Sequence, residues 1–266
     1  MSIKILGNLF GALAISLIAG SAAMASGSGG ASGPEAHWSY SGAEGPSNWG
    51  SLSSAYALCS TGHMQSPIDI THPQQAGLAS MEIDYRPGAL SIVNNGHTIQ
   101  VNIGKGSSLS IGHAKYNLLQ FHFHTPSENV VDGKAYPMEL HFVHADANGH
   151  LGVLGVFFKE GAENPALGEI WSKMPSKVNE VQNHKEVIIN GRDLLPKNMD
   201  YYRFVGSLTT PPCSEGVQWH VAKTPIEASA AQISQFTKLI GNNARPVQHL
   251  GHRLLIDSAS GGAATH

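Results

Sequence analysis

The stretch Gln120-Phe121-His122-Phe123-His124, answered by Glu139-Leu140-His141 with its histidine seventeen residues after His124, decides how this chain is read. Side chains along a β-strand alternate between faces, so residues two apart point the same way. His122 and His124 therefore project from one face, while Phe121 and Phe123 pack on the other. A third imidazole from a neighbouring strand completes a three-nitrogen set, which leaves the fourth position of a tetrahedral zinc open to chemistry. Between the two segments lies Val131-Asp132-Gly133-Lys134, and Asp-Gly is a strong two-residue hairpin signal. A turn centred on that pair, carried outward as a regular ladder, sets His141 opposite His124 and Val143 opposite His122 on one face. Pro126 and Pro137 interrupt such a ladder, so the register serves as a consistency check. The competing reading is two half-buried strands whose histidines face solvent; the third histidine in matching register favours the metal.

The 266 residues suffice for one large core, and with no internal repeat or domain-sized change of composition a single domain is expected. A net charge of −3, with only 13% charged residues, argues against nucleic acid or an anionic membrane as partner. It suits a small neutral or anionic substrate. The 15 histidines far exceed one ligand set, so most are surface or structural residues.

The N-terminus reads as an export signal. Lys4 supplies the positive start, residues 5–18 are apolar apart from Asn8 and Ser16, and Ala23-Met24-Ala25 fits a small-x-small cleavage site before Ser26. The apolar run is short for a membrane span, although an uncleaved anchor is the alternative. Residues 1–25 are thus expected to be a signal peptide and 26–34 a flexible Gly/Ser linker. A catalytic domain over 35–257 and a disordered tail over 258–266 complete the division. Export places the mature protein in the periplasm or outside the cell. In an oxidising compartment Cys59 and Cys213 are expected to form a disulfide, the alternative being two buried thiols.

Strand signals dominate the rest. They fall at 90–93, 98–103, 109–111, 118–124, 138–144, 151–158, 187–189, 201–205 and 217–221, with helices only at 165–173 and 229–239. The run Leu151-Gly152-Val153-Leu154-Gly155-Val156-Phe157-Phe158 is apolar on both parities and should be a central strand covered on both faces. The expected fold is mainly β: one large, mostly antiparallel twisted sheet with short peripheral helices.

Ordered motifs extend beyond the histidines. His37-Trp38-Ser39-Tyr40, Gln65-Ser66-Pro67-Ile68-Asp69-Ile70, Asn95-Gly96-His97, Ser127-Glu128, Gly206-Ser207-Leu208-Thr209-Thr210-Pro211-Pro212 and Asn243-Ala244-Arg245-Pro246-Val247-Gln248 all occur. With these motifs the sequence resembles the α-class carbonic anhydrases of the bacterial exported type over nearly all of the mature chain. Thr125 stands where animal relatives carry an aromatic residue, and the segment from His124 to Ser127 is shorter than theirs.

The resemblance implies a zinc enzyme, one ion per chain held by His122, His124 and His141. Its zinc-bound hydroxide attacks CO2 to give bicarbonate and a proton, with ester hydrolysis as a side activity. In that family the bound water has a pKa of about 7, a property of the family rather than one deduced from this chain. Further roles follow by position. Gln120 and Glu139 hold the outer nitrogens of His122 and His141. Glu128 and Thr209 orient the hydroxide, and His97 shuttles protons, an unperturbed imidazole titrating near 6.5. Tyr40, Asn95 and Gln100 hold the intervening water. Val143, Val153, Leu208, Thr210, Val217 and Trp219 line the CO2 pocket, and cis bonds occur at Ser66-Pro67 and Pro211-Pro212. His144 and His113 are read as structural or surface residues. The only partner implied is CO2/bicarbonate, with the chain a monomer or homodimer. A non-catalytic zinc-binding or zinc-storage protein of the periplasm competes, but it leaves the Glu128–Thr209 pair and the apolar wall without purpose.

Overall fold

Two-residue alternation of apolar side chains lays down a 13-stranded mixed sheet in the computed structural model, which describes residues 36–258. The expected signal peptide, the linker and nearly all of the expected tail lie outside those residues. Seven strands position the site: β1 (Gly88–Asn94), β2 (Ile99–Asn102), β3 (Ala114–His124), β4 (Met138–Ala145), β5 (Leu151–Glu160), β6 (Tyr201–Ser207) and β7 (Glu215–Ala222). Across the sheet they run β1-β2-β3-β4-β5-β7-β6, flanked by Gln182–Ile189 on one side and by Ile256–Ser258 and Gln74–Ala76 on the other. Antiparallel pairs predominate, as expected, but β5 and β7 run parallel. The chain between them is long enough for a crossover. Met81–Asp84 pairs with Ser108–Ile111, which in turn pairs with β3. Ser258, expected to open the tail, is the buried last residue of its strand and its hydroxyl accepts the Tyr201 N–H at 2.7 Å.

Every strand and both helices read from the sequence are present, several longer by a few residues. β5 is buried from Gly152 to Phe158, because β4 and β7 flank it and both faces are covered. Helix α1 (Pro165–Trp171) starts at Asn164, whose side chain accepts the Leu167 N–H. Helix α2 (Ala230–Ile240) starts with a reciprocal capping box between Ser229 and Gln232. Both cover the back of β3. Trp171 meets Phe123 edge-on at 4.7 Å between ring centres, and Phe236 lies 6.0 Å from Phe123 and stacks on Trp171. Phe121 and Phe123 are fully buried there, each worth roughly 1.5–3 kcal/mol of burial, which commits the opposite face to the histidines. No described helix is long and apolar enough to cross a membrane.

The expected register needs correction. Asp132 and Gly133 do form a two-residue turn, with φ of 48° and 73°, and Val130 pairs with Ala135. That hairpin belongs to a separate small sheet with Asp69–Ile70. Beyond it the ladder slips by two, so His124 faces Glu139 and His122 faces His141. Residues 125–129 stand opposite only 136–138, and the surplus bulges around Pro126 and Glu128, where a regular ladder is impossible. A slip of two preserves the face. The three histidines therefore still converge.

A separate cluster gathers Trp49, Tyr56, Cys59 and Cys213, with Trp38 and Tyr40 packed on it. Cys59 and Cys213 are joined by a disulfide. The short helices Trp49–Leu52 and Leu58–Thr61, not foreseen from the sequence, present this cluster. Peptide bonds are cis at Ser66-Pro67 and Pro211-Pro212, and also at Thr125-Pro126.

Candidate metal centre and catalytic cleft

The imidazoles of His122, His124 and His141 meet with ring centres 4.5–5.4 Å apart, and one nitrogen from each lies within 4.8 Å of the others. The remaining nitrogens are directed elsewhere. His122 Nδ1–H donates to Gln120 Oε1 at 2.9 Å, and His124 Nδ1–H donates to the Asn243 carbonyl at 2.8 Å. His141 Nε2 lies 3.2 Å from Glu139 Oε1. A nitrogen that gives its proton outward leaves a lone pair on the other, so His122 Nε2 and His124 Nε2 face the common centre, with one His141 nitrogen beside them. Burial lowers all three imidazoles, His124 to about 4, which keeps them neutral and able to bind a cation.

Two buried carboxylates frame this set. Glu139 Oε2 accepts the N–H groups of Glu128 and Asn129 at 2.9 and 2.8 Å, and Oε1 accepts Asn129 Nδ2 at 2.8 Å. The bulge in residues 125–129 supplies those donors. Burial raises Glu139 to about 7 against the pull of the Asn129 bonds. Glu128 is 1% exposed; its Oε1 accepts the Arg245 N–H at 2.9 Å, and the Thr209 hydroxyl comes within hydrogen-bonding reach. Its Oε2 lies 3.5 Å from His124 Nε2 and 3.8 Å from His141 Nδ1. Burial, opposed by the Arg245 and Thr209 bonds, pushes Glu128 up to about 8. His124 Nε2, Glu128 Oε2 and His141 Nε2 are buried with no hydrogen-bond partner among the described residues. Buried polar atoms are rarely left so, and a cation at the centre of three neutral imidazoles would satisfy His124 Nε2. The residues fit a zinc ion.

Thr209 sits on a loop tied down at both ends. Ser66 and Ser207 exchange backbone-to-hydroxyl bonds of 2.9 and 3.1 Å. Gly206 permits this approach, since a Cβ there would run into Ser66 Oγ. Cys213, held by the disulfide, donates its N–H to the Thr210 carbonyl at 2.8 Å. Arg245 closes the arrangement from below: its guanidinium donates to Gln65 Oε1, the Ser66 carbonyl and the Cys59 carbonyl.

On the other side of the cleft His97 projects from a turn in which Asn95 Oδ1 accepts the N–H groups of His97 and Thr98. Its ring stacks on Trp38, 3.6 Å between centres and 7° between planes. Burial, then the nearby His37, lowers it below the ordinary histidine value. Tyr40, Asn95, Gln100, His97, Thr210 and His122 line one cleft of about 130 Å³. Of the three residues expected to hold water, Asn95 commits its carbonyl oxygen to the turn, and Gln100 donates to Asn102 Oδ1 at 2.7 Å. Tyr40 is pushed up by burial and by Glu128. Val143, Val153, Val217 and Trp219 form one buried apolar cluster, with Leu208 packed against it. Trp219 stands edge-on to His141 at 4.9 Å. His144 is a buried structural residue and His113 is exposed.

The profile of a family described as eukaryotic-type carbonic anhydrase matches residues 44–259. The chain belongs to that family. Carbonic anhydrases of Pectobacterium carotovorum and Nostoc sp. are similar to it. They share 45% identity over 83% of this chain and 90% of theirs, and 46% over 84% and 86%, respectively. The α-carbonic anhydrase of Thermovibrio ammonificans, solved with the inhibitor sulfanilamide, superposes with a TM-score of 0.81. It is 49% identical, covering 84% of this chain and all of its own. The chain is thus an enzyme of the carbonic anhydrase family with the family's fold.

Asn129, Arg245, Trp38 and the Asn243 carbonyl were not foreseen as parts of the site. All four reach it from irregular segments, where periodicity carries no information; only the family motifs around Trp38, Asn243 and Arg245 hinted at them.

Proposed function

We propose that the chain hydrates CO2 reversibly to bicarbonate and a proton, using one zinc ion held by His122, His124 and His141. The observation carrying this reading is that His122 and His124 give their outer N–H groups to acceptors and turn their lone pairs to a centre that a His141 nitrogen shares. Zinc, when bound there, supplies Lewis acidity that makes a water nucleophilic near neutral pH. The protein's own groups do the rest. Glu128, whose ionised form the Arg245 N–H favours against burial, accepts a hydrogen bond from the Thr209 hydroxyl, so the Thr209 oxygen is left to accept. A proton-bearing nucleophile must then give its hydrogen to Thr209 and point its lone pair into the cleft. The wall of Val143, Val153, Leu208, Val217 and Trp219 excludes water and suits a substrate without a dipole, with Thr210 at the cleft edge. His97 takes the released proton across intervening water, the neutral ring being held by Trp38. Weak hydrolysis of activated esters follows from the same nucleophile. The disulfide supports an exported enzyme acting in the periplasm or outside the cell.

The test is CO2 hydration by purified protein with zinc quantified, beside His124→Ala. One zinc per chain with activity in the wild type, and loss of both in the variant, is the expected outcome. An active metal-free variant, or an inactive wild type holding one zinc, overturns the reading.

A further inference from the structure

The ladder between β2 and β3 ends at Gln100 opposite His122, before it reaches the segment that carries His124. The turn holding His97 peels away there, and the Thr98 hydroxyl donates to the Phe123 carbonyl at 2.5 Å. The side-chain amide of Asn243, 1% exposed, fills what remains of the gap. Its Nδ2 donates to the carbonyls of Phe123, at 2.9 Å, and His97, at 3.0 Å, while its Oδ1 accepts the Thr125 N–H at 2.8 Å. The carbonyl before His124 and the N–H after it point to the same side of β3. An amide that bonds both replaces one residue of a parallel strand. The second N–H, reaching His97, joins the two sides of the cleft through a single planar group. Both donors are used, and the bonds to Phe123 and Thr125 are buried.

We propose that the Asn243 side-chain amide is a positioning residue that locks the His97 turn and the His124 segment into one body, so that metal retention and proton transfer depend on it together. This is separate from the bond between its main-chain carbonyl and His124, which survives truncation of the side chain. Without the amide, the His97 carbonyl and the Thr125 N–H must find new partners, and the Phe123 carbonyl keeps only the Thr98 hydroxyl. The strand around His124 then loosens while the His97 turn shifts off Trp38. The inference rests on the zinc and His97 reading above.

The experiment compares the zinc-loaded wild type with Asn243→Ala, His97→Ala, the double variant Asn243→Ala/His97→Ala, and Leu194→Ala, a core variant at a buried residue of the helical turn Gly191–Leu194. Two quantities are read: the rate of zinc release to excess chelator, and turnover in weak buffer alongside kcat/KM. Asn243→Ala is expected to release zinc about 10–100-fold faster. Its weak-buffer turnover should fall more than tenfold, beyond any change in kcat/KM, an effect on the order of that expected from a misplaced reacting group. In the His97→Ala background the turnover loss should vanish while the faster zinc release persists. Leu194→Ala should move neither quantity. Unchanged zinc release, a turnover loss that persists without His97, or equal effects from Leu194→Ala overturns the proposal. Should Asn243→Ala be recovered unfolded, Asn243→Ser, which also lacks the planar amide, is read by the same criteria. A wild type without zinc, or one whose His97→Ala variant is normal in weak buffer, defeats the functional reading and takes this inference with it; a sound wild type with indifferent Asn243 variants defeats this inference alone.

Discussion

Acid should destabilise this protein through His144, a residue outside the chemistry. Its ring is buried, with Nδ1 donating to the Gly152 carbonyl at 3.2 Å and Nε2 accepting the Tyr85 hydroxyl at 2.7 Å. Burial lowers its pKa to about 4 despite the opposing pull of the Gly152 bond. In the unfolded chain it titrates near the ordinary 6.5. Between these values the unfolded chain holds a proton that the folded one refuses. The stability associated with the neutral ring is therefore complete above pH 6.5 and is lost as the pH falls through about 4. That interval corresponds to about 3 kcal/mol, of which about 2.5 is lost by pH 4.5. The assay is urea unfolding of the metal-free wild type and of His144→Gln between pH 7 and 4.5. Other buried groups titrate in both proteins and largely cancel in the difference. The wild type should lose about 2.5 kcal/mol more than the variant, on the order set by the same linkage. A gap between them that stays constant over this range refutes the argument.

Reducing the disulfide, or replacing Cys59 by Ser, should lower stability by up to about 5 kcal/mol, since the bridge spans 154 residues; an unchanged melting temperature in reductant would contradict this. Gly206→Ala should cost about 1–3 kcal/mol, because the new methyl meets Ser66 Oγ and comes within 2.9 Å of Trp219, and equal denaturation midpoints would show that the loop accommodates it. Thr209→Val, which keeps the shape but removes the hydroxyl, should lower kcat/KM on the order of 100-fold while zinc content stays at the wild-type level; full activity would remove Thr209 from the orientation of the nucleophile.

The two-residue period made the triad legible. It fixed which face His122, His124 and His141 share, and it put Phe121 and Phe123 behind them. It could not fix register, because Pro126 and Pro137 leave unequal lengths of chain on the two sides of the Asp132-Gly133 turn. The doubly apolar run at β5 was legible for the same reason as the triad, its parity surviving in any register. Trp38, Asn129, Asn243 and Arg245 escaped because no local rule links them to the site. Asn243, for example, reaches His124 across 119 residues. Such contacts are set by how loops dock on a finished sheet, which composition and spacing do not encode. The parallel pairing of β5 with β7 was hidden in the same way, since a strand's pattern is blind to its neighbour's direction.

The surplus in residues 125–129 decides what a change in the length of this loop can reach. His124 and His141 are held by the ladders of β3 and β4, so a residue added to this segment is taken up by the bulge and leaves the triad on its face. What it displaces is Glu128 and the two N–H groups that Glu139 accepts. Length changes here should therefore spare the metal ligands and act on the carboxylate beside them.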